Sequence, residues 1–343
     1  LFEPAAAELL SGAVDARAGA GSGPAAAELL SRTEYAQPAV FALQVALFRL
    51  LESWGVTPDF LVGHSIGELS AAHVAGVLSL PDAIAVVAAR GRLMQQMPRG
   101  AMVAVRATRA EVEASIAGRE DEVSVAAANG PNASVIAGEI AAVGALAQHW
   151  RSRGRRVTRL AVDRGFHSPH VDLIAEQFRA VLAGVTLGEP RIAVISTLTG
   201  TRAELNSVEH WVRQAREPVR FHDSVRGLHE AGVATYLEVG VGDTLSGLVY
   251  EALADTGSVA LPVLRPGVGE AASVVKAVAG AWVAGASVRW PAVCPGGRVV
   301  DLPTYPFQRR RYWVETDSVL LESMIGVAGA ELVADGQRER DDQ

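Results

Sequence analysis

One short segment of the sequence has the residue pattern of a serine nucleophile. Residues Gly63-His64-Ser65-Ile66-Gly67 match G-x-S-x-G, in which the serine occupies a sharp turn between a strand and a helix. The turn exposes the hydroxyl and places it at a helix N-terminus, where free N–H groups stabilise negative charge. Glycines are expected at both ends because a side chain there would collide with the neighbouring chain. The pattern predicts covalent acyl chemistry at Ser65; the alternative is an ordinary glycine turn.

A serine hydroxyl needs a base to become a nucleophile, and histidine is the most frequent choice. His167 follows a predicted strand over residues 157–162, in the loop Arg164-Gly165-Phe166-His167-Ser168-Pro169, and loops at strand ends commonly carry catalytic groups. His73 and His149 lie in helical patterns, which favour packing or surface roles. The pattern alone leaves the choice open among eight histidines: His64, His73, His149, His167, His170, His210, His222 and His229.

Arg90 is the candidate for binding an anionic substrate. It lies on a predicted helix that is otherwise apolar over residues 83–89. A guanidinium near a serine site could bind a carboxylate through two parallel hydrogen bonds. The alternative, which periodicity alone favours, is an arginine whose head group extends into solvent.

The elements around these residues predict an α/β protein. Apolar spacing indicates a helix with Pro38 in its first turn and Gly55 as its C-terminal cap. A strand over residues 60–62 and helices from Ile66 and after Pro81 follow. Residues 101–163 have the order βαββαβ of a ferredoxin-like unit. Its strands are predicted at 101–105, 123–127, 134–137 and 157–162, with a turn at 129–132. Later strands at 192–195, 235–239 and 259–263 predict a mostly parallel sheet with helices on both faces.

Composition excludes several functional classes. The 343 residues carry a net charge of -7, which argues against nucleic acid or an anionic membrane as the main partner. No apolar run is long enough to span a bilayer. The one cysteine, Cys294, cannot form an internal disulfide, and this fits a cytoplasmic protein. The octapeptide PAAAELLS, which begins at Pro4 and again at Pro24, is interpreted as a local duplication without chemistry.

Several further motifs occur in the order typical of one enzyme family. With them, roughly residues 33–315 resemble the acyltransferase domains of modular type I polyketide synthases, which are related to malonyl-CoA:acyl-carrier-protein transacylases. The motifs are Tyr35-Ala36-Gln37-Pro38-Ala39, Gly63 to Glu68, Arg90-Gly91 with Met94, Gly165-Phe166-His167-Ser168, Glu217-Pro218-Val219-Arg220-Phe221, and the segment from Leu302 to Trp313.

The resemblance implies a discontinuous domain plan. An α/β-hydrolase-like large subdomain would comprise residues 1–100 and 164–262, with a ferredoxin-like small subdomain inserted at 101–163. Residues 263–315 would form the linker that follows the acyltransferase, and residues 316–343 a flexible tail.

The resemblance also assigns roles to the candidate residues. Ser65 would be the nucleophile and His167 its general base, oriented by a backbone carbonyl rather than by an acid. Arg90 would hold the free carboxylate of a dicarboxylic acyl unit, which reverses the preference from periodicity. The N–H of Ile66 would be one oxyanion donor. No metal or bound cofactor is implied; the substrates are a CoA thioester and the phosphopantetheine arm of an acyl carrier protein. Ketosynthase and other synthase domains would be neighbours, with polyketide antibiotic biosynthesis as the setting.

The family's motifs also predict the acyl group. An aliphatic residue after the serine with a His-Ala-Phe-His loop accompanies malonyl, and Ile66 and Phe166 match this pattern. Arg164 and Gly165 depart from it. The expected extender unit is therefore malonyl. Discrimination against branched acyl units is expected to be incomplete, because one methyl group is worth only about 1–3 kcal/mol.

The family's opening Phe-Pro-Gly-Gln-Gly segment, which supplies a second oxyanion donor, does not occur in the sequence. Since the first residue is Leu1, the resemblance predicts a piece of a longer chain with impaired activity. Two other functions stay open at this point: a serine hydrolase or thioesterase of the α/β class, and a non-catalytic docking fragment of a synthase.

Overall fold

The computed structural model describes residues 29–298 and 300–310. The chain forms two compact units, Leu1–Pro295 and Gly296–Gln343. All helices and strands of the described residues lie in the first unit; in the second, residues 300–310 are exposed and have neither helix nor strand. The first copy of the octapeptide, most of the second, and the predicted tail at 316–343 lie outside the described residues.

The first unit alternates helices and strands along most of its length. The helices are α1 (Thr33–Ser53), α2 (Ile66–Ala75), α3 (Leu80–Gln96), α4 (Arg109–Ile116), α5 (Ile140–Ser152), α6 (Ala175–Ala183), α7 (Val208–Arg216), α8 (Phe221–Glu230), α9 (Thr244–Ala252), α10 (Glu270–Val283) and α11 (Trp290–Val293), with a 3-10 helix at Pro169–Leu173. The strands are β1 (Phe60–Val62), β2 (Ala101–Val105), β3 (Val123–Gly130), β4 (Ala133–Gly138), β5 (Val157–Arg159), β6 (Ala193–Ile195), β7 (Thr235–Val241) and β8 (Val259–Leu264).

The first helix begins earlier than its sequence pattern predicted. Helix α1 starts at Thr33, so Pro38 lies inside the helix and not in its first turn. The prediction was wrong because it used only the preference of proline for helix starts. A tertiary contact holds the additional turn: the Thr33 N–H donates to the Gln95 side chain at 3.0 Å. The predicted cap is confirmed, since Gly55 has a φ of 83° just beyond the helix end.

Strands β2 to β5 form one antiparallel sheet in the order β3-β4-β2-β5. This is the order of a ferredoxin-like unit, with helices α4 and α5 packed against the sheet around the fully buried Trp150. Thr108 and Glu111 form a reciprocal capping box at the start of α4. Two predicted limits were wrong: β5 ends at Arg159, and β3 continues to Gly130, so pairing with β4 leaves a shorter turn than 129–132.

The remaining strands pair in parallel, β1 with β6 and β7 with β8. The sequence predicted one mostly parallel sheet. Within the described ranges the parallel strands instead form two separate pairs, since no strand there is hydrogen-bonded to a strand of each pair. Helices α2, α3, α6 and α7 supply most of the main apolar core. Helix α10, which the resemblance assigned to the linker, packs with β8 and α1 in a second apolar cluster. The α/β fold class is confirmed.

Within residues 29–298 and 300–310, no helix is both long and apolar enough to cross a bilayer.

Candidate active site

The turn between β1 and α2 has the strained geometry of a nucleophile elbow. Ser65 precedes the first residue of α2 and has a φ of 52° and a ψ of -115°. A Cβ on Gly63 would lie 2.2 Å from the backbone nitrogen of Glu68, so only glycine fits there. Gly67 is different: its nearest neighbour would be the Gln44 side chain at 3.7 Å, an ordinary contact. The expectation of a clash was therefore wrong for Gly67, because only the Gln44 side chain lies near a Cβ at that position.

Ser65 and His167, 102 positions apart in the chain, are in direct contact. The Ser65 Oγ lies 2.8 Å from His167 Nε2. The other ring nitrogen, Nδ1, lies 3.0 Å from the backbone carbonyl oxygen of Glu217. Since a carbonyl can only accept, Nδ1 carries the proton and Nε2 is free to accept the serine proton. The pair thus has the geometry of a nucleophile with its general base, and a carbonyl takes the place of a triad acid.

The backbone of the histidine loop is held from three directions. His167 itself has a φ of 53°, a left-handed conformation that costs about 1–3 kcal/mol for such a residue. The Ser124 hydroxyl donates to the His167 carbonyl at 2.6 Å, and the Ser168 hydroxyl donates to the Gly165 carbonyl at 2.6 Å. A Cβ on Gly165 would lie 2.9 Å from the backbone nitrogen of Gly138. These contacts compensate for the strain and fix the ring.

Strand β3 of the ferredoxin-like sheet runs beside the site and contacts it repeatedly. Besides Ser124, it offers Asn129, whose Oδ1 lies 2.9 Å from His64 Nε2. Between them, the N–H of Ala128 donates to the Val219 carbonyl, and the N–H of Val219 donates to the Ala126 carbonyl, each at 2.9 Å. Val219 is two residues after Glu217, the residue that orients the histidine. One strand therefore supports both the serine turn and the histidine.

Arg90 points into the protein, and its prediction from periodicity alone, a head group in solvent, was wrong. The residue is 2% exposed. Its Nη1 donates to Gln37 Oε1 at 2.7 Å, and its Nη2 donates to Ser65 Oγ at 3.2 Å. Gln37 is itself fixed by the Thr33 hydroxyl, to which its Nε2 donates at 2.9 Å. The Arg90 Nε is buried and has no partner among the described residues. A buried donor without an acceptor is available to a substrate anion.

Burial shapes the charges of the site. Desolvation lowers the pKa of Arg90 to about 10, while the negative charge of Glu68 opposes this effect. Arg90 therefore stays positive at neutral pH. Desolvation, together with the charges of Arg90 and His64, lowers the pKa of His167 to about 3. The imidazole is thus neutral at neutral pH, which is the form that accepts a proton.

The remaining predicted residues have distinct surroundings. The N–H of Ile66 has no acceptor within residues 29–298 and 300–310, so it is free for an oxyanion. Phe166 is half-buried and packs between two apolar clusters. Arg164 is bound at the end of α3: its Nε and Nη2 donate to the Gln95 carbonyl, at 3.2 and 2.9 Å. A guanidinium is favourable at the C-terminal end of a helix dipole.

The other histidines have different partners. His73 Nδ1 lies 3.0 Å from the Leu78 carbonyl oxygen, and His149 packs edge-on against Trp150. His210 is buried against the carboxylate of Glu68. All eight histidines lie in the described part of the chain, and there only His167 has a hydrogen bond to Ser65. In the same part, no group of three or more His, Cys, Asp or Glu side chains is arranged to hold a metal ion.

Three residues of the site received no role from the sequence. Gln37 and Glu217 belong to motifs that supported the family resemblance, but their side-chain types do not indicate that one fixes Arg90 and the other acts through its carbonyl. Ser124 lies in a strand pattern with no chemical signal. Only the fold brings these residues to the site.

The acyl transferase domain family matches residues 13–287, which is most of the chain and includes all the residues described above.

Relatives with similar sequences are much longer proteins. The chain is 48% identical over 314 residues to the spectinabilin polyketide synthase system protein NorB of Streptomyces orinoci, covering 88% of this chain and 14% of that protein. It is 50% identical over 307 residues to the mycoketide-CoA synthase of Mycobacterium tuberculosis, covering 88% of this chain and 7% of that protein. The chain therefore spans only a small part of the length of these relatives.

Solved structures are also similar to this chain. The acyltransferase domain from the second module of the salinomycin polyketide synthase superposes with a TM-score of 0.76 at 46% identity, covering 81% of this chain and 67% of that one. The MCAT of Streptococcus pneumoniae superposes with a TM-score of 0.66 at 31% identity, covering 73% of this chain and 82% of that one.

Proposed function

The chain belongs to the acyl transferase domain family, as an acyltransferase domain of a modular type I polyketide synthase, and from this premise we propose that it transfers a malonyl unit from CoA to the phosphopantetheine thiol of an acyl carrier protein. The observation that carries the proposal is the joint placement of three groups. Ser65 Oγ contacts both the neutral His167 and the buried guanidinium of Arg90. This arrangement combines a nucleophile, a base and a carboxylate-binding group within one hydrogen-bonded cluster.

In the first half-reaction, Ser65 Oγ attacks the thioester carbonyl and its proton passes to His167 Nε2. The tetrahedral intermediate collapses, the carbon–sulfur bond breaks, and His167 returns the proton to the leaving CoA thiolate. The N–H of Ile66, at the start of α2, donates to the oxyanion. The product of this step is a malonyl ester of Ser65 and free CoA.

In the second half-reaction, the carrier thiol attacks the ester carbonyl. His167 accepts the thiol proton and then donates it to the leaving Ser65 oxygen, which restores the enzyme. Arg90 would hold the malonyl carboxylate through both halves, using its free Nε and the Nη2 that now contacts Ser65. An ordinary serine hydrolase has no use for a buried guanidinium beside its nucleophile, so this feature favours transfer of a carboxylated acyl group.

The proposal is tested by mass spectrometry of the protein after exposure to malonyl-CoA. We expect a malonyl adduct on the wild type and none on Ser65→Ala. Ser70→Ala is a matched control, because Ser70 lies on the same helix and donates instead to Gln44 Oε1 at 2.7 Å; it should label like the wild type. An adduct that persists in Ser65→Ala would overturn the proposal.

The choice of malonyl rests on Phe166, whose half-buried ring occupies space between two apolar clusters next to His167. A branched acyl unit would need part of this space. We expect the wild type to prefer malonyl-CoA over methylmalonyl-CoA, and Phe166→Ser to lower that preference by about tenfold, since one methyl group is worth about 1–3 kcal/mol. The measurement is a competition between the two esters. An unchanged ratio would remove Phe166 from the selection.

A further inference from the structure

Glu68 is a fully buried carboxylate three residues after the nucleophile. It is 0% exposed, and donors surround both of its oxygens. Its Oε1 accepts from the Ser196 hydroxyl at 2.5 Å and lies 3.0 Å from His210 Nε2. Its Oε2 accepts from the N–H of Thr197 at 3.0 Å and lies 2.8 Å from the Thr197 hydroxyl. A buried carboxylate is expensive unless it is fully hydrogen-bonded, so this arrangement must form whenever the protein folds.

The donors come from elements that are distant in sequence. Ser196 and Thr197 directly follow β6, whereas His210 lies on α7, and Glu68 itself lies on α2. The Thr197 hydroxyl is also 3.0 Å from the carbonyl oxygen of Gly63, at the start of the serine turn. Glu68 therefore joins the turn, the end of β6 and helix α7 at a single point.

Helix α7 and the residue that caps it contact both reacting residues, at the Ser65 backbone and the His167 ring. Gln214 Nε2 donates to the backbone carbonyl of Ser65 at 2.8 Å. Glu217, the residue that ends the helix, offers its carbonyl to His167 Nδ1 at 3.0 Å. Nucleophile and base are thus held by the same helix, and the distance between them depends on where that helix lies relative to α2.

We propose that Glu68 is a positioning residue for acyl transfer: it fastens helix α7 to the nucleophile turn, so that Ser65 and His167 stay within hydrogen-bonding distance. The inference rests on the proposed role of Ser65 as nucleophile. It adds a residue that touches neither substrate nor the reacting atoms and acts through Gln214 and Glu217.

A second path from Glu68 leads to the same histidine. The Thr197 carbonyl accepts from the N–H of Arg220 at 2.6 Å, and Arg220 follows the Val219 that pairs with β3. The segment from Glu217 to Arg220 is therefore held at both ends by groups bonded to Glu68, through α7 on one side and Thr197 on the other. Misplacement of reacting groups by about 1 Å costs on the order of 10²-fold in rate.

The test uses Glu68→Gln and an alkyl fluorophosphonate. This probe carries no carboxylate and therefore reports on Ser65 and His167 without the charge recognition of Arg90. Ser65 Oγ attacks phosphorus, fluoride leaves, and the serine proton passes to His167. Glutamine has the size of glutamate but places an N–H₂ group against donors, so the side chain at position 68 loses at least one hydrogen bond. We expect the second-order rate of labelling to fall by about 10²-fold, and the rate of malonyl-ester formation at saturating malonyl-CoA to fall similarly.

The matched control is Glu238→Gln. The Glu238 carboxylate also accepts two backbone N–H bonds, from Leu245 at 3.1 Å and Ser246 at 2.7 Å, but it caps α9 and does not contact the serine turn. Both variants should lose stability in urea unfolding. Only Glu68→Gln should lose phosphonate reactivity, whereas Glu238→Gln should stay within about twofold of the wild type.

If Glu68→Gln does not fold, His210→Phe provides the same test, because it removes one donor and keeps a ring next to Trp211. A loss of about threefold to tenfold in labelling rate is expected for a single lost hydrogen bond. A folded Glu68→Gln or His210→Phe with the full wild-type rate would overturn the inference. A wild type that does not react with the probe at all would overturn the proposed nucleophile instead, so the two failures are distinguishable.

Discussion

The role of Arg90 gives the sharpest quantitative prediction. In Arg90→Ala, malonyl-CoA loses the guanidinium that would bind its free carboxylate, while acetyl-CoA has no carboxylate to lose. The structure leaves two donors for that carboxylate, the unpartnered Nε and the Nη2 that contacts Ser65 Oγ at 3.2 Å. The third nitrogen, Nη1, is already committed to Gln37 at 2.7 Å.

The magnitude follows from these two donors. A hydrogen bond to a charged group contributes about 1.5–3 kcal/mol. We expect the lower part of the summed range, about 3–4 kcal/mol, because Nη2 exchanges the serine oxygen for the carboxylate and gains less than a donor with no partner. This difference corresponds to roughly 10²–10³-fold in kcat/KM. The ratio of kcat/KM for malonyl-CoA to that for acetyl-CoA should fall by this factor.

The assay compares kcat/KM for malonyl-CoA and acetyl-CoA in the wild type and the variant, from the release of free CoA. The ratio of the two is the readout, because removal of Arg90 also takes away a charge that lowers the pKa of His167, an effect common to both esters. Arg90→Lys keeps the charge but loses the two-pronged geometry and should fall between the other two proteins. An equal loss for both esters would refute the carboxylate role.

Four further predictions concern the histidine and its loop. Gly165→Ala should cost about 1–3 kcal/mol in urea unfolding and slow acylation, because its Cβ would lie 2.9 Å from the Gly138 nitrogen; a fully active, stable variant would contradict this contact. Ser124→Ala should cost about 0.5–1.5 kcal/mol and reduce the acylation rate with little change in KM, since it removes the donor to the His167 carbonyl; a change in KM alone would contradict it. With the pKa of His167 lowered to about 3, acylation should stay nearly constant from about pH 5 to 8 in rapid-quench measurements, and a loss centred near 6.5 would contradict it. Because the unfolded imidazole binds a proton below its ordinary pKa and the folded one does not, stability should fall as pH decreases from about 6.5 toward 3.

The local features of the protein were available from the sequence. The elbow at Ser65 was predicted because its requirement for Gly63 arises within six residues, where the turn brings the Glu68 nitrogen to 2.2 Å from a Cβ at that position. The ferredoxin-like order was predicted because helices and strands differ in the spacing of their apolar residues, and this spacing is visible within each element. The limits of β3 and β5 were less accurate, because pairing with the neighbouring strand decides where a strand ends.

The tertiary structure decided which of these residues meet. His167 was one of eight histidines by pattern, and only the fold brings it across 102 positions to Ser65. Periodicity placed Arg90 in solvent, whereas packing of α1 against α3 buries it and supplies Gln37 as its partner. The contact of the Glu217 carbonyl and the hydrogen bonds of Glu68 depend on backbone positions and long-range contacts. Residue types alone do not indicate them. Sequence thus determined the chemistry that Ser65 could do, and packing determined which base, which charge and which backbone groups surround it.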